Sequence, residues 1–247
     1  EELDLILFST PFDKTAVDFL EDINVPAYKV ASFEISDIPL IEYIASKGKP
    51  ILISTGIATL ADIEEAVAAC RRQKNNNIAL LKCTSSYPAP LEEANLLTIP
   101  NLRETFNVIP GLSDHTIGSV AAIASIALGA KIIEKHFIID RNIGGPDSTF
   151  SMEPEEFKQM VNDIRKTETA LGMINYELTT SAKNSRIFSR SLFIVKDVRA
   201  GDEITKENIR SIRPGHGLHP KYLNTVIGKK FNRDIEKGTP LEWRFFE

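Results

Sequence analysis

Cysteine is scarce in this chain, with two residues, Cys70 and Cys83, in 247. Two thiols build neither a disulfide framework nor a Cys-rich zinc site, so the chain reads as a reduced, cytoplasmic protein. Positive charge is in the minority: 29 Lys and Arg stand against 34 Asp and Glu, for a formal net charge of −5. That balance argues against a nucleic-acid or anionic-membrane partner. It leaves room for a small anionic ligand held by a few local cations. No apolar run approaches the about 18 residues needed to span a bilayer, and no leader pattern is visible. No G-x-G-x-x-G follows the first apolar run, which weakens the case for a dinucleotide-binding open sheet. Histidine is also rare, with four in all, and two of them carry most of the information.

What is present is a repeat. Apolar, β-rich runs fall at 3–9, 27–32, 50–55, 78–83, 108–112 and 131–137, and their starts are 23 to 30 residues apart. Helical patterns lie between them at 13–23, 35–48, 60–74 and 118–129, and a longer one follows at 154–172. Near-continuous apolar strands alternating with amphipathic helices predict a parallel sheet covered on both faces. The count fits most of a (β/α)8 TIM barrel in an α/β fold. Composition then changes: 175–190 is polar and reads as a linker, and 191–247 has short strands with turn signals at RAGD, RPGHG and EKGTP. The expected domains are 1–174, a barrel, and 191–247, a small β-rich module.

His115 in GLSDHT and His136 in EKHF each close an apolar run, 21 residues apart. The C-terminal ends of barrel strands are where an active site is built. Two neutral imidazoles there could hold a divalent metal. They could equally be two unrelated polar residues at strand ends, and spacing alone leaves both options open. The other strand ends are polar as well: Thr10; Lys29, Ser32 and Glu34; Ser54 and Thr55; Lys82, Ser85 and Tyr87; Ser113 and Asp114; Glu134 and Lys135; and Asp147 in the GGPDS loop. Any one hydroxyl is most simply a cap or loop residue. As a set, hydroxyls with lysines at one barrel mouth suit a phosphate or carboxylate.

FSTPF, AYKVASFE, KPILISTG, KCTSSYP, GLSDHT, EKHF and GGPDSTFSM, in this order, resemble the sialic acid synthase family. The C-terminal module is similar to that family's antifreeze-like (SAF, β-clip) domain. Within the family, SFE, LLKCTSSYPAP, KHFIIDRNIGGPDS and SIRPGHGLHPKY are most similar to the branch that makes pseudaminic acid. The resemblance implies condensation of phosphoenolpyruvate with an open-chain acetamido sugar, giving a nine-carbon 2-keto acid and phosphate. It places the family's two metal ligands on His115 and His136, with manganese the usual ion. Phosphoenolpyruvate contacts fall on Thr10, Lys29, Ser32, Ser54, Ser85, Tyr87 and Ser113. Glu34 matches an acid near the reacting carbons, although an ordinary loop carboxylate is the plainer alternative. Asp147 matches a sugar-binding acid. Arg213 matches an arginine that reaches a partner's active site, which implies a domain-swapped homodimer.

Departures from the family pattern bear on the sugar. This chain reads ASFE where the sialic acid synthases read GSGE, and KCTSSYP where they read HCTNxYP; His216 replaces an asparagine. Phe33 presents an apolar face, which suits a 6-deoxy sugar, 2,4-diacetamido-2,4,6-trideoxy-L-altrose. N-acetylneuraminate and legionaminic acid synthesis are the alternatives on the same mechanism. The family also carries two further βα units before LDLILFST, so the barrel is expected to lack them here and this chain alone to be inactive or poorly folded. Two other classes compete: a barrel aldolase using Lys29 or Lys82 as a Schiff base, and a non-catalytic sugar-binding protein. The second leaves the histidine pair and the hydroxyl ring without a role.

Overall fold

The computed structural model describes residues 5–246. It divides into two compact units, Glu1–Met173 and Ile174–Glu247. Unit 1 alternates α1 (Lys14–Asp22), β1 (Tyr28–Val30), α2 (Ile38–Ala45), β2 (Ile51–Ser54), α3 (Leu60–Arg72), β3 (Ile78–Cys83), α4 (Thr98–Phe106), β4 (Ile109–Asp114), α5 (Val120–Ala127), β5 (Ile132–Lys135) and α6 (Pro154–Leu171). The five strands form one parallel sheet in the order β1-β2-β3-β4-β5. Strand order never reverses, so no switch point of a doubly wound sheet occurs among the described strands. This is the order of a barrel wall.

Local chemistry sets the helix limits. Asp13 caps α1 by accepting the Ala16 N–H at 2.8 Å. Thr59 and Asp62 form a capping box at the start of α3, and Glu153 and Glu156 form one at the start of α6, where Pro154 takes the first position. The core of unit 1 joins Tyr28, Val30, Ile51, Ile53, Ile78 and Leu80 from the strands to Ile41, Ile44, Val67 and Cys70 from α2 and α3. A second patch holds Leu112 and Ile133 against Ile99 of α4 and Ala121 of α5.

The sequence differs from the structure in several places. Residues 3 and 4 of the expected first strand lie outside the described residues. Leu5, Ile6 and Leu7 form no strand and are 75%, 78% and 71% exposed, and only Ser9 makes a parallel bridge, to Tyr28. An apolar strand is held by ladders on its flanks and helices on its faces, and this run has neither among the described residues. Helix α4 was not expected. Its Pro100 lies in the first turn, where proline costs no intrahelical hydrogen bond. Segment 175–190, expected as a linker, holds α7 (Thr180–Ser185), capped by Thr179, and a 3-10 turn at Arg186–Phe188.

Unit 2 pairs β6 (Ser191–Ile194) with β7 (Ile209–Ile212) in antiparallel register and adds one helical turn, α8 (Leu223–Val226). Its other pairings are isolated bridges such as Val198–Ile235 and Phe231–Phe246. Leu192, Ile194, Ile204, Phe231, Leu241, Phe245 and Phe246 make its core. Phe231, Phe245 and Phe246 pack inside, whereas Trp243 is half-exposed and sits edge-on to Tyr222 at 5.0 Å. Among the described residues no helix is long and apolar enough to cross a membrane.

Candidate active site

Parallel strands put register partners on the same side of the sheet, and side chains two apart in a strand share a face. Cys83 pairs with Ser113 and Ser113 with Glu134. His115 and His136 lie two residues beyond Ser113 and Glu134, so all five point to one face. That face opens into a cavity of about 250 Å³ lined by Thr10, Lys29, Ala31, Ser32, Ser54, Cys83, Tyr87, Ser113, His115, Glu134 and His136. Eight of the residues expected from the sequence therefore converge: Thr10, Lys29, Ser32, Ser54, Tyr87, Ser113, His115 and His136.

The remaining four are placed differently. Ser85 does not line the cavity but donates to Ser32 Oγ at 3.0 Å, and Ser32 Oγ also accepts the Ile57 N–H at 2.9 Å. Glu34 ends the 3-10 turn Ser32–Glu34, with one carboxylate oxygen, Oε2, buried and without a hydrogen-bond partner. Asp147 Oδ2 lies 3.6 Å from His136 Nδ1. Arg213 is exposed in unit 2, immediately after β7.

Charge in the cavity is arranged around Lys29. Its ammonium is buried, donates to Ser54 Oγ at 2.8 Å and to the Val30 carbonyl at 3.1 Å, and lies 3.7 Å from Glu134 Oε2. Burial pulls the Lys29 pKa below its ordinary value, and the Glu134 charge opposes that shift. Glu134 accepts a hydrogen bond from Ser113 Oγ at 2.6 Å. Glu134, read from the sequence only as one of the polar strand ends, and Cys83, given no site role there, also line the cavity. Register would have found Glu134, because it shares a face with His136 two residues on. Gly56 makes room for the hydroxyls. A Cβ there would collide with Ser85 Oγ and lie within 2.8 Å of Ser32 Oγ and 2.9 Å of Cys83 Sγ. Gly56→Ala is therefore expected to destabilise the protein by about 1–3 kcal/mol, the usual effect of overpacking. Urea unfolding checks this, and an unchanged midpoint would count against the packing described.

Residues 1–176 match the NeuB family, and residues 189–247 match the SAF domain. The chain belongs to the NeuB family. It is 46% identical over 241 residues to the pseudaminic acid synthase of Helicobacter pylori, covering 97% of this chain and 71% of that protein. It is 43% identical over 238 residues to the pseudaminic acid synthase of Campylobacter jejuni subsp. jejuni serotype O:23/36, covering 96% of this chain and 69% of that one. Among solved structures, the spore coat polysaccharide biosynthesis protein SpsE of Bacillus subtilis is 36% identical with a TM-score of 0.68, covering 100% of this chain and 74% of that chain. The resemblance read from the ordered motifs is borne out by these matches.

In this NeuB chain the two histidines lie close together among aromatic rings. The His115 and His136 ring centroids are 5.2 Å apart, and Tyr87 packs 4.3 Å from His115 while Phe150 packs 5.0 Å from His136. His115 Nδ1 lies 2.9 Å from the Thr84 carbonyl. A carbonyl only accepts, so Nδ1 carries the proton and Nε2 keeps a free lone pair. Burial pushes the His115 pKa down, which favours the neutral, ligating form. Among the described residues no group of three or more His, Cys, Asp or Glu side chains could hold a metal ion. Two imidazoles without a third protein ligand do not make a closed structural site. They do fit an ion whose other positions are filled by water and substrate oxygens.

Proposed function

We propose that this protein condenses phosphoenolpyruvate with 2,4-diacetamido-2,4,6-trideoxy-L-altrose to give pseudaminic acid and phosphate. The observation that carries this reading is the single cavity in which a buried ammonium, three serine hydroxyls and two imidazoles meet. The likeness to two named pseudaminic acid synthases supports the choice of sugar. In the reaction, carbon 3 of phosphoenolpyruvate forms a bond to the sugar's aldehyde carbon. Water adds to carbon 2, the bond from carbon 2 to the phosphate oxygen breaks, and phosphate leaves.

Each residue then has a task. Lys29 supplies the positive charge, and Ser32, Ser54 and Ser113 supply directed donors, for a substrate that carries a phosphate and a carboxylate. Thr10 and Tyr87 border the same space, and Ser85 holds Ser32 in place. Glu134 and Glu34 are the carboxylates at hand to orient water or move a proton. His115 and His136 would hold a divalent ion, proposed to be manganese, which when bound supplies Lewis-acid polarisation of the aldehyde oxygen. Asp147 is assigned to the sugar. Arg213 is assigned to the sugar's acyl amide in the partner's site, within a cytoplasmic, domain-swapped homodimer.

Phe33 is exposed on the turn that carries Ser32. An apolar ring there favours a sugar methyl over a hydroxymethyl group. Turnover of the trideoxy altrose is expected to exceed that of N-acetylmannosamine by about 10- to 100-fold in kcat/KM, the range one such group provides. Phe33→Gly should narrow that ratio. A wild-type preference for N-acetylmannosamine would overturn the sugar assignment and leave the condensation itself standing.

A further inference from the structure

Behind the histidine pair, on the opposite face of the sheet, lies a charge pair with no evident part in binding substrate. Lys135 Nζ and Asp114 Oδ2 are 2.8 Å apart, and both side chains are 1% exposed. Asp114 and Lys135 are also the last register partners of β4 and β5. Beyond them the two chains separate. The His115 carbonyl accepts the Ala89 N–H at 2.9 Å, and Thr116 bridges to Ala89. The His136 carbonyl accepts the Met152 N–H at 2.9 Å, and Phe137 bridges to Met152. The histidines thus sit one residue past a fork, each tied to a different loop.

The charge pair spans that fork. Asp114 Oδ1 accepts the Thr116 N–H at 2.9 Å, and Lys135 Nζ also donates to the Thr116 carbonyl. His115 is thereby bracketed by Asp114 and Thr116, both bound to a lysine whose next residue is His136. A buried ion pair is a poor device for stability, because desolvation consumes most of its attraction and an apolar pair of similar volume often does as well. It is a good device for fixing geometry, since neither partner can leave without stranding a buried charge.

We propose that the Asp114–Lys135 pair is a positioning clamp that sets the spacing of His115 and His136 for a divalent ion. The proposal rests on the metal reading of the two histidines. Two imidazoles without a third protein ligand depend heavily on their mutual placement, and the pair acts on that placement through the backbone that flanks both of them.

The test uses two paired substitutions, D114L/K135M and D114N/K135M, so that no lone charge is left buried. The second also keeps an acceptor for the Thr116 N–H. Mn2+ affinity is measured by electron paramagnetic resonance titration of metal-stripped protein, with thermal unfolding and steady-state kinetics alongside. The expected result is a Kd for Mn2+ raised about 10-fold in both variants, the lower end of the range for partners bonded directly to metal ligands, with unfolding temperatures near wild type. Saturating Mn2+ should recover part of kcat. Unchanged Mn2+ affinity in both folded variants, with wild type binding the ion through His115 and His136, would overturn the clamp alone. Failure of both variants to fold would also overturn it, making the pair a folding determinant. Wild-type protein that binds no Mn2+ would overturn the metal reading and the clamp together.

Discussion

His136→Ala is expected to lower kcat/KM by about 10³-fold or more if the proposed metal acts here, since Lewis-acid assistance would supply several kcal/mol of transition-state stabilisation. His136 and His115 are the two imidazoles of the cavity. Removing one leaves a single protein donor, and a lone imidazole does not retain a divalent ion at micromolar concentration. The fold should survive, because the His136 side chain is 32% exposed and lies outside the core clusters. Stopped assays at several Mn2+ concentrations check the activity, and calorimetric titration checks the metal. Activity within tenfold of wild type, with the fold intact, would remove the metal from the mechanism.

Lys29→Met is expected to have the second-largest effect. Truncating one partner of a buried, hydrogen-bonded charge contact costs about 2–5 kcal/mol of binding, or roughly 30- to 5,000-fold in kcat/KM for phosphoenolpyruvate. Most of the loss should appear in KM, because the ammonium meets charges that phosphoenolpyruvate already carries in the ground state. Stability should move little. Methionine fills a similar volume, and the Glu134 side chain is 40% exposed and keeps the Ser113 hydroxyl. The variant also separates two chemistries, because a Schiff-base enzyme using Lys29 would lose kcat instead. Borohydride trapping of wild type with substrate gives the same discrimination.

Much of unit 1 was legible because parallel strands are buried on both faces and so read as plain apolar runs. Residues 50–55 and 78–83 became β2 and β3 nearly unchanged. The strand ends were legible as polar punctuation, and nine residues named on that basis share one cavity. Three features were not legible, each for a physical reason. The run at 3–9 has the composition of a strand but lacks flanking ladders among the described residues, and composition cannot supply a neighbour. Helix α4 carries a proline whose tolerance depends on its place in the first turn. Glu134 was seen at a strand end, but its partnership with Lys29 and Ser113 depends on the register between strands. Unit 2 was the least legible, because isolated bridges leave little alternating pattern to read.

The most direct measurement follows phosphate from phosphoenolpyruvate labelled with ¹⁸O at the bridging oxygen, with Mn2+ and the trideoxy altrose present. Condensation at the Lys29–His115–His136 cavity requires sugar-dependent phosphate release with the label in the phosphate, because the bond that breaks is carbon 2 to oxygen. Label found in the organic product, or phosphate release that ignores the sugar, would contradict it.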